Sequence, residues 1–188
     1  MIETDRFVLR PFELSDIDIV FKIYSDAEIM EYLPVPVMDF DTAQRHLDRI
    51  IACWKAIPQV NYEFAVVDKQ TNEKIGRAEI TRNYPERSVM IGWILLKSAW
   101  GRGYATQIAK ALIEHCFCKL NVHRVYARCH PDNIGSWRVM EKCGMRREAR
   151  YIKKCRYEKS DGIRWEDEFE YAILDSEFSK KFDLDGIE

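Results

Sequence analysis

The stretch from Ile94 to Thr106 contains the residues whose types and spacing point most directly to chemistry. It joins an apolar run to a helical pattern through two glycines, Gly101 and Gly103. Such a turn leaves the first backbone N–H groups of the helix without partners, at the positive end of the helix dipole. Because glycine has no Cβ, the backbone can approach a ligand closely. The segment predicts a diphosphate site, although a turn with a purely structural role would use the same residues.

Two common phosphate-binding loops are disfavoured by the residues that follow the glycines. Gly103 is followed by Tyr104 and Ala105, whereas the P-loop of nucleotide hydrolases ends in Gly-Lys-Ser/Thr. A dinucleotide-binding fingerprint needs a third glycine or alanine where this chain has Thr106, together with an acidic residue farther on. Neither nucleotide fold is therefore expected.

Cysteine and histidine residues are scattered along the chain. The six cysteines include no Cys-x-x-Cys pair, and the four histidines do not stand at zinc-ligand spacing. The N-terminal residues, Met-Ile-Glu-Thr-Asp-Arg, lack the apolar segment of a secretory signal. We therefore predict no metal site, free thiols that are mostly buried, and a reducing, cytoplasmic location.

Length and composition indicate one ordinary globular domain. The chain has 188 residues, of which 47% are apolar and 32% charged, and its net charge of −2 gives no overall attraction to nucleic acid or anionic membranes. The uncharged apolar run that contains Met90 to Leu96 is far shorter than the roughly 20 residues needed to cross a bilayer. We expect a single domain over residues 1–175 and a polar tail over 176–188, with neither nucleic acid nor a membrane as partner.

Hydrophobic periodicity predicts the elements that lead to the glycine turn. A short strand, Arg6–Arg10, ends at Pro11 and precedes two helices, the first capped by Ser15 and the second spanning about Thr42–Trp54. The third strand of the meander that follows is apolar on both faces, which indicates a central position. Within it, Gly92 predicts a bulge or a close backbone approach. The three strands of this antiparallel meander are Tyr62–Val67, Ile75–Arg82 and Ser88–Leu96.

The second half of the sequence alternates between helical and strand patterns. A helix from about Ala105 to Leu120 is followed by a strand, a second helix and a hairpin that turns through Ser160-Asp161-Gly162. The corresponding ranges are Arg124–Cys129, Asn133 or Ile134 to Cys143, and Tyr151–Glu158 with Ile163–Leu174. The expected fold class is α/β, a mixed single domain with a mostly antiparallel sheet.

Three separated motifs follow one another along the chain. They are Thr4–Pro11, Trp100–Thr106, and His130–Ser136 continuing to Glu141–Met145. Together they resemble the GNAT superfamily of acyl-CoA-dependent N-acyltransferases, in particular its RimJ/RimL-like branch of ribosomal-protein N-terminal acetyltransferases. The resemblance covers residues from about 4 to 175. It implies acetyl-CoA as co-substrate and a mostly antiparallel central sheet, flanked by helices, in which one strand splays from its neighbour.

The resemblance also implies where the coenzyme lies. Backbone N–H groups of the glycine turn would hold its pyrophosphate, and free backbone groups of the splayed strand would pair with its pantetheine arm. Asn133 would contact the pantetheine, Ser136 would lie near the thioester sulfur, and Arg102 would either touch a phosphate or be solvated. The implied cofactor-binding residues are Ile94, Leu95, Leu96, Gly101, Arg102, Gly103, Tyr104, Ala105, Thr106, Asn133 and Ser136.

The chemistry implied by the resemblance is direct attack of a neutral amine on the thioester. Many relatives have a tyrosine at the position of Met140, so Ser136 is the remaining catalytic proton donor, unless it serves only as a helix cap. Acidic residues used as bases by some relatives fall here on Arg128 and near Cys155, leaving Glu79 or a water chain as a weak relay. An α-amine, with a pKa of about 7.7–8.0, is neutral far more often at pH 7 than a lysine near about 10.4. We therefore expect an α-amine or another low-pKa amine as acceptor.

Several features remain open in the sequence. Lys142–Lys159 holds eight basic residues, which either form a solvated face or attract the 3′-phosphate of the coenzyme or an acidic or ribosomal partner. The first two helices and the loop Leu33–Val37 are expected on the acceptor side. The acceptor is a ribosomal-protein N-terminus or a small amine, and the chain a monomer or a homodimer. A degenerate module that binds acyl-CoA without turnover is the alternative to an active N-acetyltransferase.

Overall fold

The computed structural model describes residues 1–83, 86–159 and 162–182, without the side chains of residues 179–182. Within these ranges the strands are β1 (Ile2–Glu3), β2 (Phe7–Pro11), β3 (Asn61–Asp68), β4 (Lys74–Asn83), β5 (Ser88–Leu95), β6 (Arg124–Cys129), β7 (Arg146–Lys159) and β8 (Gly162–Leu174). The helices are α1 (Ile17–Tyr24), α2 (Phe40–Cys53), α3 (Tyr104–Leu120), α4 (Ile134–Lys142) and α5 (Asp175–Phe182), with short 3-10 turns at Leu14–Asp16 and Lys97–Ala99.

The described strands form one sheet in the order β1-β2-β3-β4-β5-β6-β8-β7. Neighbouring strands are antiparallel except β5 and β6, which run parallel. These two pair only where Ser88–Met90 lies beside Arg124–Tyr126, and beyond Met90 they separate. The expected mixed fold, with a mostly antiparallel sheet and a splayed strand pair, is confirmed, and the splay opens the sheet near its centre.

Helices cover both faces of the sheet. On one face α3 and α4 bury side chains such as Ile108, Leu112 and Met140 against β5 and its neighbours. On the other face α1 and α2 bury a second cluster that includes Ile23 and Leu47. Each such side chain contributes about 1.5–3 kcal/mol when fully buried. These two layers hold β4, β5 and β6 rigidly on either side of the splay.

The predicted caps of the first two helices differ from those in the structure. Ser15 lies in a 3-10 turn, and α1 begins only at Ile17. Asp16 is buried, and its carboxylate is stabilised there because it accepts from the backbone N–H of Glu13 at 2.8 Å and from the guanidinium of Arg10 at 2.7 Å. Helix α2 begins at Phe40, earlier than predicted, because the side chain of Asp39 caps it by accepting from the backbone N–H of Thr42.

Gly92 has a different role from the one that its position in a strand predicts. The β4–β5 register continues without a break through the pair Glu79 and Gly92, so the predicted bulge is wrong. A Cβ on Gly92 would lie 2.6 Å from Oε1 of Glu79. The glycine therefore makes room for a glutamate side chain from the neighbouring strand.

The C-terminal segment is also more ordered than its composition suggests. The predicted polar tail, 176–188, begins as helix α5, whose Phe178 packs on Phe117 with ring centroids 5.0 Å apart. Residues 183–188 lie outside the described residues, as do Ser160 and Asp161 of the predicted hairpin turn.

All six cysteines are free thiols. Across the ranges given above, no helix has both the length and the apolar character that spanning a membrane demands. The same ranges contain no group of three or more His, Cys, Asp or Glu side chains placed to hold a metal ion.

Candidate active site

Two cavities adjoin at the splay between β5 and β6. The first, of about 690 Å³, lies between β5, the N-terminus of α3 and α4, and the second, of about 400 Å³, lies between β4, β5, α2 and the β6–β8–β7 side of the sheet. We refer to them as the coenzyme cavity and the acceptor cavity, after the ligands that the sequence resemblance leads us to expect. The residues that line both are Tyr32, Leu33, Trp93, Ile94, Asn133 and Ser136.

The N-terminus of α3 opens directly onto the coenzyme cavity. Gly101 and Gly103 have φ angles of 68° and 80°, and Gly103 precedes the helix without any side-chain cap. The first intrahelical bond near this end is from Gln107 N–H to the Gly103 carbonyl at 3.2 Å, so the earlier N–H groups of the helix have no acceptor within it. Apart from the glycine and its two chain neighbours, no atom of the described residues lies within 4 Å of a Cβ built on either position. The left-handed backbone requires these glycines, and the space before the N–H groups is open to an anion.

The opening motif of the chain supports this turn from behind. The guanidinium of Arg6 lies 3.6 Å from the centre of the Tyr104 ring and donates to the Arg102 carbonyl at 3.0 Å. The Tyr104 hydroxyl donates to Asp68, a bond that lowers the pKa of that carboxyl. Three segments that are distant in sequence therefore fix the backbone of the turn.

Most of the predicted coenzyme residues come together in the coenzyme cavity. Ile94, Leu95, Gly101, Gly103, Tyr104, Ala105, Thr106, Asn133 and Ser136 all line it. Leu96 is placed differently, because its N–H donates to the Ile75 carbonyl at 2.9 Å and its side chain packs into the cluster under α1 and α2. Hydrogen-bonded pairs alternate along an antiparallel ladder. Because the N–H of Leu96 is bonded to β4, the backbone groups of Ile94 and Leu96 face β4. Those of Trp93 and Leu95 therefore face the splay. Trp93 was missed because the sequence alone does not reveal which residues of β5 pair with β4.

Basic side chains near the coenzyme cavity differ from the prediction as well. Arg102 is exposed and does not line the cavity, and its guanidinium turns back to the Ser98 carbonyl at 3.4 Å. Arg138 and Lys142 on α4 line the cavity instead. Four of the eight basic residues in 142–159 form ion pairs elsewhere: Arg146 with Glu148 and Glu177, Arg150 with Asp167, Lys154 with Glu168, and Arg156 with Glu158. Half of the stretch is therefore an ion-paired face, and Lys142 lies at the coenzyme end.

Asn133 and Ser136 occupy the point where the two cavities meet. The side-chain oxygen of Asn133 accepts from the Ser136 N–H at 3.1 Å, so Asn133 caps α4 and the Ser136 hydroxyl is not needed for that purpose. This hydroxyl contacts the thiol of Cys129 at the end of β6, and burial raises the pKa of that thiol to about 12. At neutral pH the thiol is therefore protonated, and the Ser136 hydroxyl lies at the junction of the two cavities with this thiol as its neighbour.

Charged residues from β3 and β4 form the floor of the acceptor cavity. Arg77 is buried, lies 2.8 Å from a Glu63 carboxylate oxygen, pairs with Glu79 and donates to the Tyr24 hydroxyl. Burial raises the pKa of Glu63. Glu79 is the more accessible of the two carboxylates and lies beside Gly92.

The opposite wall contains a carboxylate that sequence reasoning missed. Glu168 on β8 accepts from the Cys155 thiol at 3.1 Å and from Lys154 at 2.8 Å, and it lines the acceptor cavity beside Arg128. Burial and the contact with Glu168 raise the pKa of Cys155 to about 11. The carboxylate next to Cys155 is therefore that of Glu168, which comes from β8 and not from β7. The sequence does not show which residues of β8 pair with which residues of β7.

The hairpin of β7 and β8 holds the loop between α1 and α2 over the acceptor cavity. The ammonium of Lys159 donates to the carbonyls of Met30 at 2.9 Å and Glu31 at 3.0 Å. The Tyr157 hydroxyl donates to the Tyr32 carbonyl at 3.0 Å. The Tyr32 ring also stacks on His130 with centroids 5.4 Å apart. Leu33, Pro34 and Val35 of this loop therefore form part of the acceptor wall.

Comparisons with known proteins agree with this geometry. A family model described as an acetyltransferase (GNAT) domain matches residues 6–146. The chain is 34% identical over 178 residues to the uncharacterized N-acetyltransferase YnaD of Bacillus subtilis (strain 168), covering 95% of this chain and 99% of the relative. The crystal structure of a GNAT-family acetyltransferase from Bacillus anthracis is 31% identical, with a TM-score of 0.82, and covers 94% of this chain and 99% of that chain.

A further solved structure shares the fold at lower identity. Spermidine N-acetyltransferase from Vibrio cholerae, in complex with CoA and spermine, is 22% identical with a TM-score of 0.78, covering 93% of this chain and 99% of that chain. In the present chain, the free N–H groups of α3 and the basic side chains of Arg138 and Lys142 suit the phosphates of such a coenzyme. With fold, splay, anion-binding turn and sequence matches in agreement, the chain belongs to the GNAT family of acetyltransferases and uses acetyl-CoA as its co-substrate.

Proposed function

We propose that this acetyltransferase modifies the α-amino group of a peptide or protein, or another primary amine of low pKa, in the cytoplasm. The three sequence motifs support a place in the RimJ/RimL-like branch, with a ribosomal-protein N-terminus among the acceptors to test. The observation that carries the proposal is the junction of a coenzyme cavity and a separate acceptor cavity at Ser136. An amine in one cavity can reach a thioester in the other without a covalent enzyme intermediate.

Residues at the junction have distinct roles in the proposed transfer. Bound acetyl-CoA supplies the thioester carbon that the amine attacks. The hydroxyl of Ser136 donates a hydrogen bond to the departing thiolate. Asn133 caps α4 by accepting the Ser136 N–H with its side-chain oxygen, and this bond positions Ser136 on the first turn of the helix. The side-chain amide N–H groups of Asn133 remain for the pantetheine. Trp93 offers backbone groups of the open strand, and Leu95 offers its N–H, because the Leu95 carbonyl already accepts from Nε1 of Trp100 at 2.9 Å.

The amine must lose a proton before it attacks the thioester, and the described residues of the cavity include no strong base for this step. An acceptor that is already partly neutral at pH 7 is therefore favoured. The accessible carboxylate of Glu79 is ion-paired with Arg77 and suits a relay through water better than direct proton abstraction. An α-amine has a pKa of about 7.7–8.0, so roughly a tenth to a fifth of it is neutral at pH 7. Such an acceptor needs little help from a base.

A small polyamine is the second candidate acceptor, because the Vibrio cholerae relative is a spermidine N-acetyltransferase. A polycation is best held by carboxylates in excess of nearby cations. In this acceptor cavity Glu63 and Glu79 share Arg77, and Glu168 pairs with Lys154. The charge balance of the cavity therefore favours the α-amine over the polyamine.

Thiol release from acetyl-CoA tests the proposal with a panel of matched acceptors. The panel contains a lysine-bearing peptide with a free N-terminus, the same peptide with a blocked N-terminus, spermidine and ribosomal proteins. We expect release with the free N-terminus to exceed release with the blocked peptide and with spermidine. Faster release with the blocked peptide or with spermidine would overturn the choice of acceptor. Tight coenzyme binding without release for any acceptor would support the degenerate binding module.

A further inference from the structure

Arg49 on α2 differs from the other arginines of the acceptor cavity. Arg77 pairs with Glu63 and Glu79, and Arg128 lies 2.7 Å from Glu170. Within the described ranges, Arg49 has no carboxylate partner, and its guanidinium donates to Nδ1 of His46 at 2.5 Å. Arg49 is exposed and lines the cavity, so its remaining N–H groups are directed to solvent or to a ligand.

His46, one turn before Arg49, provides a second donor on the same wall. Because Nδ1 accepts from Arg49, the ring proton is assigned to Nε2. Burial and the nearby cations of Arg77 and Arg49 lower the pKa of His46 to about 4, which keeps the ring neutral. Its Nε2 atom is buried and has no hydrogen-bond partner in the part of the chain that the structure describes. A buried donor without an acceptor is unfavourable and is satisfied when a ligand brings an oxygen atom.

We propose that Arg49 and His46 form a subsite for a carboxylate carried by the acceptor. This inference rests on the proposed function and narrows the acceptor to α-amines whose first residue has an acidic side chain. A guanidinium and a neutral N–H donor on adjacent turns match the two oxygens of one carboxylate. Glu63 and Glu79 form their ion pairs with Arg77 and not with Arg49, although the positive charge of Arg49 also attracts the Glu63 carboxylate.

Two peptides that differ only in one charge test this subsite. Asp-Ala-Ala amide and Asn-Ala-Ala amide have the same length, and the aspartate side chain is the only carboxylate in the pair. A second pair, γ-aminobutyrate and γ-aminobutyramide, carries the same difference on an amine outside the α class. Binding to the CoA-loaded protein by calorimetry and acetylation from acetyl-CoA are both measured for all four compounds.

The wild-type protein is expected to prefer the charged member of the peptide pair by roughly tenfold to a hundredfold, the usual range for a hydrogen bond to a charged group. Arg49→Gln should bring this ratio close to one, and Arg49→Lys should restore part of it. Arg45→Gln is the matched control, since Arg45 lies on the same helix, donates to Thr42 at 2.8 Å and does not line the cavity. It should retain the wild-type ratio.

The two proposals fail in different ways. Equal binding of charged and uncharged members in both pairs would overturn the subsite, and so would an unchanged preference in Arg49→Gln. A charge preference that depends on Arg49, seen only with the γ-aminobutyrate pair, would uphold the subsite and overturn the α-amine as acceptor. Preference in the peptide pair with acetylation of the peptide α-amine would uphold both.

Discussion

At the scale of single residues, the proposed acetyl transfer depends on Ser136, which lies where the two cavities meet. Its N–H, but not its hydroxyl, is used by the Asn133 cap. The family resemblance of the segment His130–Ser136 selected both residues, which are close in sequence. Arg49, Glu168 and Trp93 were not selected, because their positions depend on helix packing and strand register.

Replacing Ser136 with alanine tests its role as proton donor. We expect Ser136→Ala to lower kcat by about a hundredfold, the lower end of the range for general acid catalysis. The dissociation constant of CoA should change by less than about twofold, since the binding turn is made by backbone groups. Steady-state kinetics and calorimetry measure the two quantities. Unchanged kcat would contradict the assigned role.

His46 predicts a pH dependence of stability. Its pKa falls from 6.5 to about 4 on folding, so between these values the unfolded chain binds a proton that the folded chain does not. Stability is therefore lost as pH falls through this window. His46→Gln should remove on the order of 1–2 kcal/mol of that loss, a figure reduced because the ring is partly exposed and screened by solvent. Urea unfolding of both proteins between pH 7 and about 4.5 tests this, and parallel pH profiles would count against it.

At the scale of elements, the N-terminus of α3 functions only while its turn is held in place. Glycine spacing predicted the turn, but the sequence did not show that β2 and its preceding residues brace it. Arg6 provides this support through the Tyr104 ring and the Arg102 carbonyl. The opening motif is thus a positioning element of the coenzyme site.

Arg6→Ala should weaken the phosphate-binding turn without disturbing the chemistry. We expect KM for acetyl-CoA to rise roughly threefold to tenfold, the effect of losing one or two hydrogen bonds, with kcat nearly constant. S-acetylpantetheine, which lacks the diphosphate, should show the same kcat/KM with both proteins. Lys69→Ala is the matched control, because Lys69 contacts Glu3 and Thr4 of the same segment but not the turn. A similar loss with S-acetylpantetheine would indicate general unfolding instead.

The β7–β8 hairpin predicts a separate effect on the acceptor side. Tyr157→Phe removes the hydrogen bond to the Tyr32 carbonyl and loosens the loop that covers the acceptor cavity. KM for the amine should rise severalfold, as expected for about 0.5–1.5 kcal/mol, while KM for acetyl-CoA changes little. Tyr126→Phe, on a residue that lines neither cavity, is the control. Equal changes in both KM values would argue against an acceptor-side role.

At the scale of the whole molecule, the sheet determines which residues meet. Alternating hydrophobicity was enough to predict the meander, the central position of β5 and the overall class, since these follow from local patterns. Strand order and the 3-residue contact between β5 and β6 are set by packing between distant segments. For that reason most of the residues predicted for the coenzyme, which come from one continuous segment and α4, line a single cavity. Of the second cavity, the sequence indicated α1, α2, the loop Leu33–Val37 and Glu79, but not the residues of β3, β6, β7 and β8.

In the proposed reaction, acetyl-CoA and an α-amine meet at the Ser136 junction. The most direct measurement uses one peptide that carries both a free α-amine and a lysine side chain, incubated with the protein and acetyl-CoA. Mass spectrometry of the fragments then locates the acetyl group. We expect the wild-type protein to acetylate the α-amine, and we expect the Ser136→Ala variant to lose this activity. Acetyl groups mainly on the lysine side chain, or equal α-amine acetylation by the variant, would contradict the proposed reaction.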